Sequence, residues 1–74
     1  MRVACYLIEI RGKRKQADIS RATGIHTASI SQIERGIMLP FDRDIEKLEK
    51  AYGAPVTDWY PPRTLLALES DPQE

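Results

Sequence analysis

Two residue types that build cross-links and metal sites are scarce in this sequence. Among its 74 residues there is one cysteine, Cys5, and one histidine, His26. A single cysteine excludes an intrachain disulfide and fits a reducing compartment. A structural zinc site needs four ligands of the Cys or His type, which these two residues cannot supply. We therefore expect neither a metal nor another cofactor.

Long apolar runs and catalytic motifs are also missing. No apolar run approaches the roughly 18 residues of a membrane-spanning helix. Glu9 interrupts the apolar start of the chain too early for a signal-peptide core. The sequence has no glycine-rich phosphate loop, nucleophile elbow or His-Glu zinc motif. These absences predict a cytoplasmic protein that is not an enzyme and does not contact a membrane.

The chain has no net charge, but its charges are unevenly distributed. The whole sequence holds 11 basic and 11 acidic residues. Residues 1–36 contain seven basic and three acidic residues, whereas residues 37–74 contain four basic and eight acidic ones. This asymmetry indicates one face that meets an anion. A chain of this length forms one small domain, whose core is marginally stable without a partner.

Apolar residues repeat at helical spacing, and no segment alternates with period two. We predict an all-α, compact five-helix domain over residues 1–60 and a C-terminal extension over residues 61–74. The predicted helices span about residues 2–11, 16–23, 27–35 and 43–52, with further short segments at 55–60 and 63–69. We expect Asp42 to cap the fourth helix. His26 or Thr27 is expected to cap the third, and we favour this role for His26 over that of a pH switch or metal ligand.

Residues 16–35 combine two short helices with a tight turn at Gly24, the pattern of a helix-turn-helix. Glycine suits the left-handed conformation that ends the first of these helices. With its isoleucines directed inward, the second helix presents on its outer face Thr27, Ala28, Ser31 and Gln32. Because a helix-turn-helix lays this face in the major groove, we interpret the four as base-reading residues. A glutamine there can bind adenine through two hydrogen bonds.

The sequence resembles the lambda repressor/Cro-type, or XRE, family of helix-turn-helix regulators over residues 2–60. The run Ile-Ser-Gln-Ile-Glu-Arg-Gly at residues 30–36 is especially typical. The matching residues are Gln16, Ile19, Gly24, Ile25, Ile30, Ser31, Ile33, Glu34, Gly36, Pro40, Leu48, Ala51 and Gly53. Ser20 and Thr23 depart from the pattern, which usually has Ala and Leu there. The family also often pairs an arginine of the first helix with the glutamate that closes the third, and Arg11 is our candidate partner for Glu34.

The resemblance implies binding to double-stranded DNA, with Gln16 and Arg43 on the phosphate backbone. Further phosphate candidates come from their positions: Ser29 and Arg35 flank the base-reading face, and Lys13, Arg14 and Lys15 form a basic connector. The alternative for the connector is a charged loop that serves solubility alone.

The apolar C-terminal end has two interpretations. It either covers the core as a lid or forms a homodimer interface, which the resembling family often builds from its last helix. The interface candidates are Val56, Trp59, Tyr60, Leu65 and Leu66. We predict a transcriptional repressor that binds a near-palindromic operator as a homodimer. The alternative is an antitoxin or anti-repressor that uses this end to bind a partner protein.

Overall fold

A computed structural model describes the backbone of residues 3–69 and the side chains of residues 3–65. These residues form helices and no strand, which confirms the predicted all-α fold. In chain order the elements are α1 (Leu7–Arg11), α2 (Gln16–Thr23), α3 (Thr27–Glu34), α4 (Asp42–Tyr52), a 3-10 turn (Val56–Asp58) and α5 (Pro62–Glu69). Within this part of the chain no helix is long and apolar enough to cross a membrane.

The first helix is shorter than predicted, because residues 3–6 have no regular secondary structure. The Val3 amide donates to the Gly36 carbonyl at 2.9 Å, and the Tyr6 amide donates to the Trp59 carbonyl at 2.7 Å. The backbone of this segment therefore bonds to two distant parts of the chain instead of to a helix of its own. The helical spacing of the apolar residues did not reveal these partners.

The predicted cap of α3 is confirmed, and that of α4 is wrong. The His26 Nδ1 atom accepts a hydrogen bond from the Ala28 amide at 3.2 Å, which satisfies one of the free donors at the start of α3. At α4 the capping residue is Phe41, and Asp42 is the first helical residue. The Asp42 carboxylate still suits this position, because the first turn of a helix favours negative charge.

The core lies where α1, α2, α3 and α4 meet the segment before α5. Its buried hydrophobic residues are Leu7, Ile19, Ile30, Ile33, Leu48, Tyr52, Trp59 and Tyr60. The Trp59 indole packs edge-on against Tyr52, with ring centroids 6.0 Å apart, and donates from Nε1 to the Ala54 carbonyl at 3.1 Å. Burial of an indole of this size contributes on the order of 4–6 kcal/mol of hydrophobic free energy.

The buried state of Trp59 and Tyr60 favours the lid over the dimer interface for these two rings. Trp59 is 0% and Tyr60 2% exposed, so these two rings cover the core as a lid. Val56 and Leu65 are half-buried and pack on the core as well, leaving part of each side chain accessible. The side chain of Leu66 lies outside the described residues.

Candidate nucleic-acid interface

The turn between α2 and α3 is fixed by side chains as well as by its glycine. Gly24 adopts φ +78°, and its amide donates to the Ser20 carbonyl at 2.7 Å. The Ser20 hydroxyl donates to the Ile25 carbonyl at 2.5 Å. The Thr23 Oγ1 atom donates to the Ile19 carbonyl at 2.8 Å and accepts from the Ile25 amide at 3.1 Å. Ser20 thus binds the carbonyl group of Ile25 and Thr23 binds its amide group, and these two bonds hold α3 against α2.

The two faces of α3 have opposite character. Ile30, Ile33 and Glu34 are buried against the rest of the domain. On the other side Thr27, Ala28 and Gln32 are exposed, and Ser31 is half-buried. The four residues that we predicted to read bases therefore share the accessible side of one helix. Ser29 is half-buried and Arg35 is exposed at the edges of this surface.

The inner end of α3 is held by a buried carboxylate. Glu34 is 1% exposed, and three side chains donate to it. Its Oε2 atom accepts from Arg11 Nε at 2.8 Å and from the Tyr52 hydroxyl at 2.7 Å, and its Oε1 atom accepts from Gln16 Nε2 at 2.9 Å. The expected pairing of Arg11 with Glu34 is confirmed. A buried charge requires such partners, so this glutamate joins the ends of α1, α2, α3 and α4.

The comparison with known families agrees with this geometry. A family model described as helix-turn-helix matches residues 7–59, which is most of the chain and extends from α1 to Trp59. The chain belongs to the lambda repressor/Cro-type (XRE) helix-turn-helix family. No curated protein and no solved structure was found to match it. Membership in this family supports a DNA-binding regulator, and the family is one of non-enzymatic DNA-binding domains.

In this XRE domain Gln16 is the first residue of α2 and is half-buried. One N–H of its carboxamide is bonded to Glu34. A glutamine carboxamide carries two N–H donors and an oxygen acceptor, so a second N–H remains for another partner. The first turn of α2 also presents free backbone amides in the same place. The predicted phosphate contact of Gln16 is compatible with this placement.

In the basic connector before α2, the side chain of Arg14 binds backbone carbonyl groups of the protein itself. Arg14 donates to the carbonyls of Ile10 and Arg11 at 3.1 Å, of Ala51 at 2.6 Å and of Tyr52 at 2.9 Å. These bonds satisfy carbonyl groups at the ends of α1 and α4, which no helical amide can reach. Because the guanidinium makes four hydrogen bonds within the protein, we rank Arg14 below Lys13 and Lys15 as a phosphate candidate. Lys13 and Lys15 are exposed beside it.

The loop between α3 and α4 exposes three large apolar side chains. Ile37 and Leu39 are each 45% exposed, and Phe41 is 54% exposed. The Arg43 guanidinium lies over the Phe41 ring at 5.0 Å from its centroid, a cation–π arrangement. Arg43 sits on the first turn of α4, and its acidic neighbour Asp42 is exposed too.

Tyr52 is the partner of Glu34 that the sequence analysis did not identify. Its spacing from Leu48 places it on the buried face of α4. A signal was present: a tyrosine in a buried stripe usually has a hydrogen-bond partner for its hydroxyl, and Glu34 needs donors if it is buried. Burial, the hydrogen bond to Glu34 and the charge of Glu34 all raise the pKa of Tyr52, so its hydroxyl remains a donor.

Proposed function

We propose that the chain is a transcriptional repressor that binds a near-palindromic operator as a homodimer. The observation that carries the proposal is the accessible side of α3, where Thr27, Ala28, Ser31 and Gln32 stand opposite the buried anchors of the same helix. In this arrangement α3 enters the major groove, and Gln32 reads a base edge. Repression is the simplest regulatory effect of such a domain, because occupancy of a promoter is sufficient.

Contacts to the DNA backbone would come from residues around that surface. We assign phosphate binding to Lys13, Lys15, Gln16, Ser29, Arg35 and Arg43. The excess of basic residues in the first half of the chain supports this assignment. Arg43 has the weakest support, since the neighbouring carboxylate of Asp42 repels a phosphate.

Homodimer formation has support from exposed apolar side chains. Ile37, Leu39 and Phe41 form an accessible apolar loop, and Val56 and Leu65 are partly accessible. A second copy that covers this loop would remove apolar area from water and stabilise a small domain. A two-fold dimer would also place two copies of α3 about 34–36 Å apart, one helical turn of DNA.

The same loop favours a second candidate function. An antitoxin or anti-repressor would use it, together with the C-terminal end, to bind a partner protein. Such a protein can also repress its own operon, so the two functions differ mainly in what covers the apolar loop.

Fluorescence anisotropy with duplexes selected from a random pool tests DNA binding. We expect one preferred sequence and an affinity that falls with salt, by a log–log slope of about 0.9 for each phosphate neutralised. Gln32→Ala should lose about 1–3 kcal/mol against the preferred base and discriminate less at that position. Thr27→Ala should weaken binding, whereas the matched change Thr57→Ala, at an exposed threonine of the 3-10 turn, should not. Salt-independent binding without a preferred sequence would contradict the proposal.

Sedimentation velocity tests the dimer. We expect dimers at micromolar concentration and monomers for Ile37→Ser. The control is Ile8→Ser, because Ile8 is 47% exposed on α1 and Ile37 is 45% exposed. A wild-type chain that stays monomeric at high micromolar concentration refutes the homodimer, and a dimer that survives Ile37→Ser places the interface away from the loop.

A further inference from the structure

A chain of two hydrogen bonds leads from the last residue of α4, in the core, to the first residue of α2. The Tyr52 hydroxyl donates to Glu34 Oε2 at 2.7 Å, and Gln16 Nε2 donates to Glu34 Oε1 at 2.9 Å. Tyr52 is 3% and Glu34 1% exposed, whereas Gln16 is half-buried and reaches the surface. The chain therefore connects a fixed interior group to a side chain that the proposed function places on DNA.

The inner end of this chain is rigid. The Tyr52 ring is packed edge-on against Trp59, which is fully buried. The backbone at Tyr52 is also held, because its carbonyl accepts from Arg14 Nη2 at 2.9 Å. A phenol constrained at its ring and its backbone holds its hydroxyl oxygen in one place, and the bond to Glu34 selects the direction of the hydrogen. It thereby fixes where Glu34 Oε2 lies.

The carboxylate passes this constraint on to Gln16. Arg11 Nε and the Tyr52 hydroxyl share Oε2, one from α1 and one from α4. With both donors in place the carboxylate plane is defined, and so is the position of Oε1. Without the Tyr52 hydroxyl the carboxylate is held by Arg11 alone on that side, and it can turn about its bond to the side chain. Oε1 then moves, and the Gln16 amide loses a fixed partner.

The carboxamide of Gln16 is planar, so its two N–H groups have a fixed angle between them. Holding one N–H on Glu34 therefore restricts the direction of the other, which is left to donate to a phosphate oxygen in the proposed complex. A donor already aligned for a phosphate oxygen loses less side-chain entropy on binding than a freely rotating one.

We infer that Tyr52 is a positioning residue for DNA binding, which acts through Glu34 to align the Gln16 carboxamide for a backbone phosphate. The inference rests on the proposed phosphate contact of Gln16. Tyr52 itself does not touch DNA in this arrangement, because its side chain lies in the core.

A double-mutant cycle tests this inference. The variants are Tyr52→Phe, Gln16→Ala and the two combined, each measured for operator affinity by anisotropy. We expect each single change to weaken binding by about fivefold or less, as for the loss of one hydrogen bond. The double variant should bind like Gln16→Ala alone, because Tyr52 has nothing left to align. If the two residues act independently, the fold-losses of affinity in the single variants should instead multiply in the double variant.

Tyr60→Phe is the matched control. Tyr60 is another buried tyrosine, at 2% exposure, and among the described residues its hydroxyl has no hydrogen-bond partner. Removing that hydroxyl should leave operator affinity unchanged. Thermal unfolding curves of every variant identify a temperature at which all of them are folded, and the affinities are measured at that temperature. If Tyr52→Phe does not fold, Tyr52→Met replaces it, because methionine adapts to irregular space in a core.

An NMR measurement without DNA gives a second readout. The side-chain amide resonances of Gln16 should shift and exchange faster in Tyr52→Phe but not in Tyr60→Phe. Unchanged Gln16 resonances in Tyr52→Phe would overturn the positioning role. So would losses of affinity that multiply in the double variant. Neither result would contradict the phosphate contact of Gln16 itself. If Gln16→Ala binds the operator as tightly as the wild type, the phosphate contact itself is refuted, and the positioning role falls with it.

Discussion

Gly36 lies against Val3 so closely that a β-carbon on it would be 1.9 Å from the Val3 carbonyl oxygen. Its φ of +74° is also a conformation that side chains other than glycine rarely adopt. We therefore expect Gly36→Ala to destabilise the domain by about 3 kcal/mol or more, since a backbone clash adds to about 1–2 kcal/mol of conformational strain. Denaturant unfolding measures this loss.

Gly53→Ala is the control for this prediction. Gly53 has φ +78°, but nothing lies within 4 Å of the place its β-carbon would take. This variant should show the conformational strain alone, about 1–2 kcal/mol. If the two alanine variants are equally stable, the contact between Gly36 and the segment at residues 3–6 does not matter for folding.

Thr23 is expected to stabilise the turn of the helix-turn-helix through its hydroxyl. In Thr23→Val the Ile25 amide loses its acceptor at 3.1 Å, and we expect a loss of about 1–3 kcal/mol for the unsatisfied donor. The same substitution at the exposed Thr57 should change stability by less than about 0.5 kcal/mol. Denaturant unfolding of both variants makes the comparison. Equal effects would mean that the valine shape and not the hydroxyl decides the outcome.

Local patterns predicted the parts of this structure that local forces determine. The starts of α2 and α3 and the cap at His26 follow from the spacing of apolar residues and from short-range hydrogen bonding. The non-helical segment at residues 3–6 was missed because its backbone partners, Gly36 and Trp59, are far away in the sequence. A local pattern cannot distinguish an apolar residue in a helix from one whose backbone is hydrogen-bonded to residues far away in the sequence.

The candidate site likewise has features that local patterns predict and features that depend on contacts distant in the sequence. The outer face of α3 follows from helical periodicity, but the partners of charged and aromatic side chains depend on tertiary packing. An arginine such as Arg14 can bind a phosphate or a helix carbonyl, and only the position of α4 decides between them. Trp59 suits a core or an interface equally well by composition. Its burial depends on the space that α1 and α4 leave beside it.

Arg14 and Lys13 should therefore respond differently to the same substitution. Arg14→Met removes four hydrogen bonds to helix-end carbonyls, and we expect a loss of about 1–3 kcal/mol in unfolding free energy. Lys13→Met should leave stability nearly unchanged but lower the salt slope of DNA binding by about 0.9 if Lys13 holds a phosphate. Denaturant unfolding and anisotropy at several salt concentrations separate the two effects. A stable Arg14→Met variant with a reduced salt slope would restore Arg14 to the DNA contacts.

Tyr60 should make stability fall at alkaline pH. Its burial, together with the nearby charge of the Cys5 thiolate, raises its pKa to about 12 from the ordinary value of 10.0. Because the folded pKa lies above the unfolded one, the contribution of the neutral phenol is complete below pH 10 and is lost as the pH rises toward 12. The loss is at most about 1.4 kcal/mol per pH unit for one group. Urea unfolding at pH 8 and pH 11 measures it, and Tyr60→Phe should reduce the difference between the two. An equally steep loss in that variant would show that another group, such as Tyr52 with its raised pKa, carries the alkaline transition.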